Sequence, residues 1–309
     1  MPAIVTHHLF GQDASTHLPQ AMLPSQEERI AFLLGSQGTD PLFARFRCSP
    51  HSARTCHTFA RAMHEGNMVS ALCSLRTAAT QLSARDIPVG RAFVLGMAAH
   101  YLLDSITHPL ILALVKQITD ADPALTDAQS EIHALIEADI DSWLLWQKRH
   151  KTILEAPASD ALVSTGHVDR IASGLMAYVA NDVFDMAIGR SDFARSVRDY
   201  RLVYRLVDSR SRNLTQGLTE IERLRRPFSR IMAQRHPLIT SDECASANLD
   251  HRHWRNPFTG EISVASFPDL FHDALGAWPV FCQRLIEGDH LRLAAMVDGI
   301  NYYGKPITV

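Results

Sequence analysis

The stretch GRAFVLGMAAHYLLDSITHP, residues 90–109, decides the fold class of this 309-residue chain. Apolar residues cover nearly every side of the helix it would form, which is typical of a helix at the centre of a protein. His100, Asp104 and His108 interrupt it at intervals of four. Residues four apart share one helical face about 6 Å apart, so His100 and Asp104 can close on one ion. Whether the helix reaches His108 is open, because residues before a proline avoid the α region.

A second stretch, EIHALIEADID at residues 131–141, repeats this pattern with His133, Glu137 and Asp141. Two such helices facing each other would present two sets of imidazole and carboxylate groups, as in the multinuclear metal sites of helical bundles. Buried groups of this kind are costly without partners, and a divalent cation would satisfy them together. Nitrogen and oxygen donors without thiolate suit zinc, with manganese or iron as alternatives. On spacing alone, core histidines or ordinary helical ion pairs explain the pattern equally well.

Helical spacing continues through most of the chain, and strand alternation is rare. Further helices are predicted in residues 26–36, 56–82, 167–188, 191–235 and 267–300. Asp127 is the predicted N-cap of the helix that contains residues 131–141, and that helix ends in a basic turn. The predicted class is all-α, with residues 1–309 as a single domain and a C-terminal helical extension from about residue 195 as an alternative.

Composition narrows the functional classes. The chain is 46% hydrophobic and has a net charge of -3, so it can bury a large core and gives no reason to expect a nucleic-acid partner. Its five cysteines are odd in number and form no CxxC pair, which argues against disulfides and thiolate zinc sites. We find no signal peptide and no apolar run long enough to span a bilayer, so a cytoplasmic location is expected. The 16 histidines call for a metal or acid-base explanation.

Several segments, taken in order, resemble bacterial members of the zinc-dependent phospholipase C family. These are THHLFG (6–11), LLGSQGTDPLF (33–43), AMHEGN (62–67), GMAAHYLLDSITHP (96–109), IHALIEADID (132–141) and NLDHRHWRNPFTGEISVASFPDLFHDAL (248–275). The resemblance spans most of the chain. It implies an all-helical fold with up to three zinc ions, related to the helical nucleases that cut single-stranded nucleic acid.

The resemblance also implies a ligand set. One zinc would be held by Asp40, His64, His100 and Asp104, and a second by His108, His133 and Glu137. A third would be held by Asp104 as a bridging ligand with His7, or less favourably His8. Secreted family members complete that third site with an N-terminal tryptophan exposed by processing. Because this chain begins Met-Pro, the number of zinc ions that it binds, two or three, is left open.

The activity expected from the resemblance is metal-dependent phosphodiester hydrolysis by a metal-bridging hydroxide. Asp40 would act as a general base or orient the attacking water, and Asp141 would either fix an imidazole or be an ordinary carboxylate on the helix surface. The substrate is expected to be a phospholipid or another phosphodiester. The arginines of residues 195–235 would either contact a membrane surface or form a solvated helix face with salt bridges to neighbouring acidic residues. A nuclease-like phosphodiesterase and a non-catalytic, metal-stabilised binding protein remain alternatives.

Other side chains compete for these roles. His51 and His57 are alternatives to His64 as a ligand, and the adjacent pair His272 and Asp273 is of the kind found in helical HD-type phosphohydrolases. Trp254 would either line a substrate groove or anchor an ordinary loop.

Overall fold

A computed structural model describes residues 3–19, 22–207, 222, 228–297 and 299–307, and confirms the all-α class. The described residues form twelve α-helices. These are α1 (Ile4–Thr16), α2 (Gln26–Gly35), α3 (Asp40–Phe43), α4 (Pro50–Glu65), α5 (Met68–Thr80), α6 (Ile87–Ala121), α7 (Gln129–Arg149), α8 (Gly166–Phe184), α9 (Asp192–Leu206), α10 (Arg230–Ala233), α11 (Phe267–Glu287) and α12 (His290–Val297). Short 3-10 helices cover Pro123–Ala128, Ala158–Ala161 and Ala245–Ala247.

The chain divides into two compact units, each built from three separate segments. Unit 1 contains Met1–Leu9, Thr107–Ala161 and Arg201–Leu270, and unit 2 contains Phe10–Ile106, Leu162–Tyr200 and Phe271–Val309. Within unit 1, α10 packs on α7, and within unit 2, α5 and α2 pack on α8. One domain over residues 1–309 stays a prediction. Of the predicted C-terminal extension, residues 208–221 and 223–227 lie outside the described residues.

Helix α6 continues through Pro109, so His108 is helical. The proline ring costs the helix one backbone hydrogen bond but does not end it. His100, Asp104 and His108 therefore occupy successive turns of one stripe. By length and composition α6 is apolar enough to cross a membrane, yet 78% of its most apolar window is buried within the protein, as in the core helix of a soluble protein.

Two glycines let α2 and α6 cross with their backbones in contact. A Cβ added to Gly96 would lie 2.1 Å from the carbonyl oxygen of Phe32, and one added to Gly35 would lie 2.2 Å from that of Phe93. No other residue type fits these positions without moving a helix. Because Ser36 directly follows Gly35, this helix contact determines which residues of α6 lie beside Ser36.

Two predicted helices are each broken in two. The helix predicted over residues 56–82 ends at Glu65 and restarts at Met68, because the side chain of Asn67 caps the new helix by accepting from the backbone N–H of Val69. The helix predicted over residues 267–300 breaks at Gly288, whose φ of 80° lies in the left-handed region.

Three further details differ from the predictions. Helix α7 begins at Gln129 after a 3-10 turn capped by Asp122, so the prediction of Asp127 as its N-cap is wrong. A two-stranded antiparallel hairpin, β1 (Trp254–Arg255) with β2 (Ile262–Ser263), lies between the helices predicted over residues 191–235 and 267–300. Helix α1 was not predicted. Asp141 accepts hydrogen bonds from the backbone N–H groups of Val5 and Thr6, so a residue far along the chain caps this helix.

Candidate metal centres

Unit 2 holds a buried group of one carboxylate and two imidazoles, called here the Asp40 cluster: Asp40, His64 and His100. One ligand atom from each residue lies within 4.8 Å of the others. Nε2 of His64 is 3.2 Å from Oδ1 of Asp40, and all three side chains are at least nine-tenths buried. Asp104 adjoins the cluster, with Oδ2 3.2 Å from Nε2 of His100. The four residues implied for the first ion are therefore neighbours in unit 2.

Local backbone geometry positions these side chains. Asp40 begins α3, His64 lies in the last turn of α4, and His100 lies midway along α6. Gly38, just before α3, has a φ of 57°, and a Cβ there would lie 2.2 Å from Cδ2 of His100. Glycine at this position thus allows the loop to pass directly over the His100 ring.

Backbone carbonyls orient both imidazoles of the Asp40 cluster. Nδ1 of His64 lies 2.8 Å from the carbonyl oxygen of Ala60, and Nδ1 of His100 lies 3.1 Å from that of Ser36. A ring nitrogen facing a carbonyl carries the proton, which leaves Nε2 as the basic nitrogen. Protein metal sites commonly orient their histidine ligands in this way.

The charges in the cluster favour ionised Asp40. Burial alone would raise the pKa of Asp40, but the imidazoles of His64 and His100 beside it lower that pKa well below its usual range. Burial likewise opposes charge on His100, but the carboxylates of Asp104 and Asp40 raise its pKa overall. Oδ1 of Asp40 is buried and makes no hydrogen bond of good geometry with any described residue. An anionic oxygen in this position fits a cation.

Unit 1 holds a second group, called here the Glu137 cluster: His108 from α6, and His133 and Glu137 from α7. Oε1 of Glu137 lies 2.9 Å from Nε2 of His133 and 3.6 Å from Nε2 of His108. Burial would raise the pKa of Glu137, but nearby positive charge, chiefly on His133, lowers it to about 2. Nε2 of His133 is buried yet lacks a well-formed hydrogen bond within the described residues, despite its closeness to Glu137. Nε2 of His133 and the carboxylate of Glu137 therefore converge on one another within the cluster.

The donor atoms of each cluster lie close enough together to contact one metal ion. Metal–ligand bonds of about 2.0–2.2 Å separate neighbouring tetrahedral ligand atoms by roughly 3.3–3.6 Å. The separations of 3.2 Å between His64 and Asp40 and of 3.6 Å between His108 and Glu137 lie close to that range, whereas the 2.9 Å between His133 and Glu137 is shorter. Imidazole nitrogen with carboxylate oxygen is a ligand combination that zinc accepts.

The remaining predicted residues have different surroundings. His7 is buried on α1 in unit 1, and His8 follows it on the same helix, where burial lowers the pKa of its imidazole. Asp141 does fix an imidazole, but that imidazole belongs to His236, whose Nε2 lies 2.8 Å from Oδ2 of Asp141. His236 was missed by sequence reasoning, since nothing in its spacing links it to a partner 95 residues away.

Tyr302 is a second residue that sequence reasoning missed. It is fully buried in unit 2, and its ring centroid lies 4.7 Å from that of His64 and 5.3 Å from that of His100. Burial, together with the charges of Asp104 and Asp40, raises the pKa of its phenol well above 10. Its hydroxyl has no hydrogen-bond partner among the described residues. In the sequence, Tyr302 is one of two adjacent tyrosines beyond the last predicted helix, with no spacing that links it to His64 or His100.

The competing candidates lie elsewhere. His51 is exposed, and Nε2 of His57 contacts the carbonyl oxygen of Arg45 at 3.1 Å. His272 and Asp273 are both exposed. Trp254 is buried and donates its indole N–H to the carbonyl oxygen of Ala265, so it anchors the hairpin.

Comparisons with known proteins add no relative. No protein-family model, curated protein or solved structure matches the chain. Function must therefore be inferred from the side chains of the two clusters and from the ordered motifs of the sequence.

Proposed function

We propose that this protein is a metal-dependent phosphodiester hydrolase, similar to the zinc-dependent phospholipases C, and that each cluster holds one zinc ion. The single observation that carries the proposal is the pair of sets, each with two imidazoles and a carboxylate whose ligand atoms lie within 4.8 Å of one another. The ordered motif resemblance supplies the reaction class. A third ion with His7 and Asp104 belongs to the same proposal, as does an intracellular site of action.

The chain's own residues have distinct roles in this proposal. His64 and His100 present basic Nε2 atoms because their Nδ1 atoms face the carbonyls of Ala60 and Ser36. Glu137 stays ionised at neutral pH because nearby positive charge lowers its pKa to about 2. Asp40 is ionised too, and we assign it to orienting the attacking water. Zinc bound there would polarise a phosphoryl oxygen and lower the pKa of water.

Burial favours a second candidate, a metal ion that only stabilises the fold. The ligands of the Asp40 cluster are at most 6% exposed, as in closed structural sites. The side chain of His133 is 16% exposed, so solvent reaches the Glu137 cluster more readily. In a purely structural protein both ions would be bound without any turnover.

Metal analysis combined with hydrolysis separates these candidates. Purified wild type, Asp40→Asn and Glu137→Gln would be assayed for bound zinc and for hydrolysis of bis-p-nitrophenyl phosphate and p-nitrophenylphosphorylcholine. We expect about two to three equivalents of zinc in the wild type, one fewer in each variant, and at least a hundredfold loss of turnover in both. Asp120→Asn is the matched control, since Asp120 is an exposed carboxylate on α6 that pairs only with Lys116 among the described residues.

Each outcome has a definite reading. Zinc without hydrolysis of either ester or of single-stranded nucleic acid would support the structural ion. Cleavage of nucleic acid alone would favour the nuclease-like alternative. Folded wild type that binds no divalent metal would overturn both the hydrolase and the structural ion.

A further inference from the structure

Unit 2 contains a cavity that shares no residue with either metal-ligand cluster. Its volume is about 420 Å³, which is within the range of small-molecule sites. The walls come from the end of α5, the first turns of α6 and the end of α11. Buried Val94, Leu95 and Leu285 form an apolar floor, while Thr80 and Ile286 are exposed at its mouth.

Two guanidinium groups also line this cavity. Nε of Arg91 is buried and has no hydrogen-bond partner among the described residues. Arg76 donates from Nη1 to the carbonyl oxygen of Leu285 at 3.2 Å. Gly288 makes room for Arg76, because a Cβ on that glycine would lie 2.6 Å from Nη1. The Arg76 guanidinium therefore packs directly against the backbone of Gly288.

The one carboxylate that lines the cavity is already paired. Glu287 accepts from Nε2 of Gln283 at 2.7 Å and from Nη1 of Arg284 at 2.9 Å. It is exposed and lies at the rim. The cavity thus combines an apolar floor with two cationic groups, one of them with an unsatisfied buried donor.

We propose that this cavity binds a monoanionic amphiphile, with its anionic head on Arg91 and Arg76 and its aliphatic chain on Val94, Leu95 and Leu285. A buried guanidinium donor without a partner is costly, and an anion satisfies it with charge-assisted hydrogen bonds. A cation would be repelled, and a small inorganic anion would leave the apolar floor in contact with water. This site does not depend on the metal centres.

Titration calorimetry with octanoate, below its micelle concentration, tests the proposal. We expect saturable binding of one octanoate per chain and much weaker binding of octanol, octyltrimethylammonium and acetate. Arg91→Gln should weaken octanoate binding by about tenfold or more. Arg292→Gln removes the same charge from an exposed position on α12, outside the cavity, and should bind as the wild type does.

A second variant, substituted at the mouth of the cavity, tests the proposal even if Arg91→Gln does not fold. Thr80→Trp places a large side chain at the exposed mouth and should abolish octanoate binding while circular dichroism shows an unchanged thermal transition. Equal binding of octanol and octanoate, unchanged binding in both variants, or no saturable binding would each overturn the proposal.

Discussion

The ring of Tyr302 stacks at a tilt on the ring of His64, with centroids 4.7 Å apart and planes 32° apart. The two residues are also joined through their backbones, since the N–H of Tyr302 donates to the carbonyl oxygen of His64 at 3.2 Å. The C-terminal segment therefore forms one wall of the Asp40 cluster. The Tyr302 hydroxyl is buried without a partner in the described chain, so we expect it to donate to a group bound in that cluster.

Tyr302→Phe should separate stability from function. Removing a hydroxyl that bonds no described residue should change the free energy of unfolding by less than about 1 kcal/mol. We expect zinc content to be kept and phosphodiester turnover to fall by about tenfold or more, as for the loss of one donor to a reacting group. Urea unfolding and steady-state kinetics provide the two readouts. Full turnover in Tyr302→Phe would show that the hydroxyl contacts no substrate.

Gly38→Ala should disrupt the Asp40 cluster through the backbone. Alanine at a φ of 57° costs about 1–2 kcal/mol, and its Cβ would press on the His100 ring. We expect unfolding to become easier by at least about 2 kcal/mol and zinc to bind more weakly, as measured by competition with a chelating dye. Gly174→Ala is the control. Gly174 lies within α8 with open space around it, so alanine there should stabilise the protein by roughly 0.5–1 kcal/mol.

Asp199→Asn should be strongly destabilising, because Asp199 neutralises a buried arginine. Its Oδ2 lies 2.6 Å from Nη1 of Arg45, and both side chains are almost fully buried. Without the carboxylate the guanidinium keeps a hydrogen bond to the carbonyl oxygen of Arg47, at 3.1 Å, and a longer contact with the carboxylate of Asp192, at 3.7 Å. We expect a loss of about 3–5 kcal/mol in urea unfolding. The exposed pair Lys116–Asp120 serves as the comparison, and Asp120→Asn should cost less than about 1 kcal/mol.

The same carboxylate predicts a pH dependence. Burial would raise the pKa of Asp199, but hydrogen bonds from Arg47, Arg45 and two backbone amides lower it below its ordinary value of 3.8. A group whose pKa is lower in the folded state stabilises the protein above its unfolded pKa and loses that contribution as the pH falls. The stability gap between wild type and Asp199→Asn should therefore be constant from about pH 5 to pH 7 and shrink below about pH 4. A gap that stays constant into stronger acid would contradict the assignment.

Asp141→Ala should loosen the start of α1. The carboxylate is fully buried and accepts from the backbone N–H groups of Val5 and Thr6 and from His236. Leaving these donors unsatisfied should cost about 2–4 kcal/mol. Hydrogen exchange should speed up at Val5 and Thr6 more than in α8, which serves as the internal reference. Uniform acceleration would point to global destabilisation instead.

Sequence spacing captured what a single helix determines. The i, i+4 contacts of His100 with Asp104 and of His133 with Glu137 follow from 3.6 residues per turn, and both pairs lie within 3.2 Å. The C-terminal end of α2 at Gly35 and the all-α class also follow from local patterns. These features need no knowledge of the rest of the chain.

Contacts between distant segments left no such pattern. Tyr302 meets His64 across more than 200 residues, and Asp141 caps α1 through Val5, which lies 136 residues earlier in the chain. Neither contact produces a repeating spacing in the sequence, and tyrosine and aspartate are common in ordinary loops and on helix surfaces. The break at Asn67 was readable in principle, since Gly-Asn before Met68 is a cap signal, but the helical spacing on both sides obscured it.

The contact of α2 with α6 at Gly35 and Gly96 limits how this protein can change. Ser36 follows Gly35 directly, and its carbonyl orients His100, one turn beyond Gly96. A mutation that separates the two helices would rotate the His100 ring, so the helix contact and the Asp40 cluster cannot be varied separately. A new activity at this site would therefore require substitutions in the loops and the C-terminal segment, with the residues at the contact of α2 and α6 unchanged.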